Sequence, residues 1–166
     1  MRLALAVVLM LLAAEAGGAA EAAWYQDGQA ATPWALTIND SKQVFGQWCS
    51  FAADACYWSL GLDQTCSKGA RYPVLINATS GSLATEVLCD ERAETGKQRL
   101  YFTNFDDIDR LVRASTLMGV AFPLQSGEFV VVRFSLNGAG PALDAMRQAT
   151  IKRRGAKPVG TKDQRL

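Results

Sequence analysis

No histidine occurs anywhere in the 166 residues. That absence removes the usual general base at neutral pH, the Ser-His-Asp and Cys-His triads, and the common transition-metal sites. Zinc fails on spacing as well. The four cysteines (Cys49, Cys56, Cys66, Cys89) are separated by six, nine and twenty-two residues, whereas zinc sites use local C-x₂₋₄-C pairs. A thioredoxin-like redox centre needs C-x-x-C at a helix N-terminus, and none is present. Nor is there a Walker A or G-x-G-x-x-G loop. Asp106-Asp107-Ile108-Asp109 lacks the alternating ligands, central glycine and closing glutamate of a calcium loop. No cofactor is expected.

Long apolar runs are also missing after the N-terminus, so no transmembrane segment is expected in the mature chain. The N-terminus itself has an export pattern. Met1-Arg2 supplies positive charge, Leu3–Leu12 is apolar but too short to span a bilayer, and the small residues AAEAGGAAEAA follow. Residues 1–20 are read as a signal peptide, with cleavage as late as residue 23. About 145 residues then remain, one domain's worth. A single domain is expected over 24–150. Its charge is mildly acidic, with 10 Lys/Arg against 14 Asp/Glu from Glu21 to Thr150, or −4. Residues 151–166 carry 6 Lys/Arg against Asp163 alone, or +5. This segment has no periodicity and is read as a basic disordered tail, able to touch anionic surfaces. It has no aromatic residue to stack on bases, so specific nucleic-acid binding is not expected.

Residues 24–40 read as an irregular lead-in, punctuated by Gly28 and Pro33. Strands are expected at 43–51, 55–62, 72–78, 83–89 and 99–103. In NFDDIDRLVRAS, Phe105, Ile108, Leu111 and Val112 recur at helical spacing, with Asn104 as N-cap and acidic residues in the first turns. Strands follow at 117–124 and 129–136. A terminal helix then begins near Pro141. The order predicts an α+β fold: a mainly antiparallel sheet, open β-barrel or sandwich, with one internal and one C-terminal helix.

An even cysteine count in an exported chain points to disulfides. Three pairings are possible. A hairpin turning at Ala52-Ala53 sets Cys49 opposite Cys56, at a separation that a close cross-strand pair can bridge. The pairing read here is therefore Cys49–Cys56 and Cys66–Cys89. Trp48, Tyr57 and Trp58 beside the first bridge form the candidate partner surface. Packing of the tryptophans against that bridge is the simpler alternative. Two acidic clusters leave carboxylate catalysis open: Asp106, Asp107 and Asp109, and Glu86, Asp90 and Glu91. The first also reads as a helix N-terminus and the second as a solvated loop. Asn77-Ala78-Thr79 matches the glycosylation sequon.

Phe45-Gly46-Gln47-Trp48-Cys49 resembles the opening Gly-x-Trp and nearby Cys of the invasion-associated locus B (IalB-like) family of exported bacterial proteins. FVVVRFSLNGAGPALDAM resembles that family's close, a strand leading through a Ser-Leu-x-Gly turn into a short helix. The preceding helix and hairpin match its order of elements. The chain departs from the family in its widely spaced Cys66 and Cys89, and in Ala139-Gly140 after the turn glycine. The resemblance implies a small, periplasmic or secreted, disulfide-containing β-rich protein, linked with the envelope and host interaction and without a known catalytic site. The expected function is a non-catalytic binding or accessory protein of the cell envelope, with a protein or envelope component as partner. The alternatives are a carboxylate-dependent cell-wall hydrolase and a secreted effector or adhesin.

Overall fold

The computed structural model describes residues 24–93, 95–123 and 127–155. The expected signal peptide and residues 156–166 of the expected tail lie outside them. Among the described residues the elements run β1 (Trp24–Asp27), β2 (Trp34–Ile38), β3 (Val44–Ser50), β4 (Ala55–Leu62), β5 (Arg71–Ala78), β6 (Gly81–Arg92), β7 (Gln98–Phe102), α1 (Phe105–Arg113), β8 (Leu117–Pro123), β9 (Phe129–Ser135) and α2 (Ala139–Gly155). The strands form one antiparallel sheet in the order β1-β2-β3-β4-β7-β6-β5-β8-β9.

Alternation decides which way each strand faces. In β3 and β4, Phe45, Cys49, Trp58, Leu60 and Leu62 turn inward and are buried. Val74 and Ile76 of β5, Val120 and Phe122 of β8, and Val132 and Phe134 of β9 continue that face. Phe45 shows how far the sheet curls. Its ring stacks on Trp58 at 5.1 Å and meets Phe102 of β7 at 6.0 Å and Phe134 of β9 at 5.6 Å. Strands near opposite ends of the order thus share one core, so the sheet is an open, curled one. The expected α+β class with two helices holds in this form.

Asn104 caps α1 by accepting from the Asp107 amide at 3.2 Å. Asp106 and Asp107 lie in its first turn. Ile108, Leu111 and Val112 are buried. α2 packs on β1 and β2 and touches α1.

Two expectations change. The lead-in 24–40 is not irregular: it contains β1 and β2. Both strands are short, and the turn between them hid their alternation. Asp27 Oδ1 accepts from the amides of Gln29 and Ala30 at 2.8 and 3.0 Å, closing that turn. Gly28 sits where a Cβ would lie 2.4 Å from Ala149 of α2, so only glycine lets the turn approach the helix. Residues 151–155, read as the start of the basic tail, are helical, because α2 continues to Gly155. Its last basic residues have partners. Arg153 donates to the carbonyls of Gly28 and Ala30 at 3.0 and 2.6 Å, and its guanidinium lies 4.6 Å from the Phe51 ring centroid. Arg154 pairs with Asp54 at 2.9 Å.

Candidate partner-binding surface

Both disulfides form in the pairing read from the sequence, Cys49–Cys56 and Cys66–Cys89, and no described cysteine is free. Cys49 and Cys56 are directly opposed on the inner face, with Cα atoms 3.9 Å apart. Beneath them, Cys49 Sγ lies 3.5 Å from Met146 Sδ of α2. A one-residue slip between β3 and β4 would turn every side chain to the other face, and this bridge forbids it. The residues beside the cysteines are thereby held outward.

Those neighbours are Trp48 and Tyr57, also directly opposed. Their rings are nearly parallel (10°) with centroids 6.5 Å apart. Trp34 of β2 opposes Trp48 on its other side. Tyr101 of β7 meets Tyr57 edge-on at 4.9 Å, and Leu88 of β6 opposes Tyr101. Trp34, Trp48, Tyr57 and Tyr101 therefore form one half-exposed aromatic row across four neighbouring strands. Its polar border is Arg99, which donates to the Tyr101 hydroxyl at 3.2 Å and lies 3.7 Å from the Asp90 carboxylate.

Trp58, read as part of this surface, points the other way. It is fully buried between Phe45 and Trp24, because it differs from Tyr57 by one residue in an alternating strand. The sequence reading missed Trp34 and Tyr101. Trp34 lies in the stretch that reads as an irregular lead-in, and Tyr101 cannot be placed beside Tyr57 without knowing that β7 pairs with β4. Alternation in WALTI was the available signal for the first.

Five carboxylates of the two acidic clusters, all but Asp106, have cations beside them. Asp109 takes Arg113 at 3.2 Å and also Arg147, and Asp107 takes Arg110 at 3.0 Å. Glu86 pairs with Arg71 at 3.4 Å, and Glu91 with Lys68. Arg147 also donates to Gln47 Oε1 at 2.8 Å, which ties both helices to β3. Among the described residues no group of three or more His, Cys, Asp or Glu is placed to hold a metal ion. No described helix is long and apolar enough to cross a membrane.

No family model matches the chain, and no curated protein matches it in sequence. A solved structure does match: invasion associated protein B from Bartonella henselae, with a TM-score of 0.56. The two folds are similar. The alignment covers 80% of this chain and 95% of that one, at 15% identity. At that identity the likeness to invasion associated protein B is one of fold. The resemblance read from Phe45–Cys49 and from the FVVVRF strand stands at the same level.

Burial holds the Tyr57 and Tyr101 hydroxyls above the ordinary phenol range, and the Arg99 charge opposes this only in part. A raised tyrosine pKa favours the neutral form in the folded state. Stability from the row is thus complete below the unfolded phenol pKa and lost as pH rises through the folded one. In a spectrophotometric titration Tyr57 and Tyr101 should ionise above the ordinary phenol range, and Tyr57→Phe should remove one of these late steps. A titration unchanged by Tyr57→Phe at its alkaline end would contradict this packing.

Proposed function

We propose that the protein is an exported, non-catalytic binding protein of the bacterial cell envelope, and that the outer aromatic row is its contact surface. The observation that carries this reading is the Trp34–Trp48–Tyr57–Tyr101 row with Arg99 beside it. Trp, Tyr and Arg dominate binding hot spots, because each buries much area at small entropic cost and keeps a polar handle. Two disulfides fit an oxidising compartment. The fold is similar to that of a protein whose name associates it with invasion, which extends the reading to contact with a host cell.

The test uses the oxidised mature chain as bait for envelope extracts and host-cell surfaces. Trp48→Ala with Tyr57→Ala should lose roughly ten-fold or more of the captured partner. Its melting temperature should stay within a few degrees, since neither ring lies in the core. Capture unchanged by the double substitution would reject the row as the contact surface. A hydrolase activity abolished by changing one aspartate or glutamate would reject the non-catalytic reading.

A further inference from the structure

The two ends of the curled sheet meet along a seam that closes only halfway. At one end, Trp24 Nε1 of β1 donates to the Ser135 carbonyl at 3.0 Å. Asn39 Nδ2, just past β2, donates to the Arg133 carbonyl at 3.2 Å. On the opposite side of β9, the Leu136 amide donates to the Thr116 carbonyl at 2.8 Å, on the β8 side. Backbone direction alternates along a strand. Phe129, Val131, Arg133 and Ser135 therefore turn their N–H and C=O groups to the seam. Among the described residues nothing bonds those groups at Phe129 and Val131. A cleft of about 280 Å³ between Asn39–Gln43 and Val130–Arg133 leaves room alongside.

This open half of β9 is unusual in having no guard. Soluble proteins blunt exposed edges with lysine, proline or a bulge, and Phe129-Val130-Val131-Val132 contains no charge or proline. The other edge strand, β1, is packed by α2. Side chains add to the exposure. Phe129 is 68% exposed and Val131 46%, on the outer face. Val131 opposes Ala121, which opposes Leu75, itself 54% exposed.

We infer that β9 is a self-association edge, at which two copies pair antiparallel about a two-fold axis through Val130. Phe129 then exchanges both backbone hydrogen bonds with Val131 of the partner subunit, and Val131 with Phe129 of the partner subunit, giving four bonds. The row Leu75–Ala121–Val131 then runs on into Phe129 of the partner subunit, and Phe129 into Val131 of the partner subunit. A second copy is the favoured occupant because the edge requires an uncharged strand with apolar side chains at alternate positions, and β9 supplies that strand. The pairing is isologous and closes on itself. It does not depend on the aromatic row. So short a ladder lies at the small end of interface sizes, so the expected dimer is a weak one, dissociating at on the order of 10–100 µM.

Sedimentation velocity on the oxidised mature chain, diluted from about 500 to 1 µM, tests this by mass action. The apparent mass should double toward the concentrated end. Val131→Pro should hold it at the monomer value with an unchanged melting temperature, since that N–H takes no part in pairing with β8 and proline is tolerated there. Phe129→Lys should do the same through the outer face, and serves if the proline variant folds poorly. A monomer at every concentration would sink the proposal and leave the edge to a strand from a different protein. A dimer that survives both substitutions would place self-association on another face.

Discussion

Trp58→Ala should lower the free energy of unfolding by about 3–5 kcal/mol, the range for removing a buried large aromatic. Trp58 is fully buried, stacked on Phe45 and in contact with Trp24 and Phe105. Its indole N–H has no partner among the described residues. Removing that orphan donor offsets part of the loss, which places the value toward the lower end. Small domains hold about 5–15 kcal/mol in total, so this one change removes a large share. Urea unfolding of Trp48→Ala is the matched control. Trp48 is ten residues away and half-exposed in a cross-strand pair, a setting worth about 1 kcal/mol or less. Equal losses from the two substitutions would refute the assignment of one tryptophan to the core and the other to the surface.

Removing the Cys66–Cys89 bridge should cost about 3 kcal/mol, from the loop-closure entropy of a link spanning 23 residues. At this chain length that corresponds to a melting temperature lower by about 10 °C. The bridge holds the link between β4 and β5 onto β6, assisted by hydrogen bonds from Gly69 to the Cys89 carbonyl and from Cys89 to the Ala70 carbonyl, each 2.9 Å. Cys66→Ala with Cys89→Ala measures the term by calorimetry. The Cys49–Cys56 loop spans only 7 residues, for about 2 kcal/mol by the same argument. Non-reducing peptide mapping should recover both links and no free thiol. A variant lacking Cys66 and Cys89 that melts with the parent would show that the hydrogen bonds alone fix that loop.

The legible parts of the fold were those with strong local signals. Ala55–Leu62 shows its own bounds in the sequence, because its apolar pattern ends at turn residues on both sides. The α1 start was marked by Asn104 and the aspartates after it. The Cys49–Cys56 pairing followed from hairpin register alone. β1 and β2 were missed because strands of four and five residues around an Asp27–Gly28 turn show too little alternation, and their burial depends on α2 far along the chain. The same distance hid the end of α2. Nothing local to Arg153 and Arg154 reports that Gly28, Ala30, Phe51 and Asp54 wait for them. For the surface, Trp48 and Tyr57 were readable as a pair, but the row is a property of strand order. Trp34 joins through β2, and Tyr101 through a pairing that skips β5 and β6.

The contact between α2 and the first two strands constrains how the chain comes to be built. Gly28 and Ala30 receive Arg153 from 125 and 123 residues further on. Trp24 likewise hydrogen-bonds to Ser135. A chain emerging from its N-terminus therefore lacks the groups that cover its opening strands until nearly all of it has appeared. Such non-local closure slows folding. The domain therefore closes only when its final helical turns arrive.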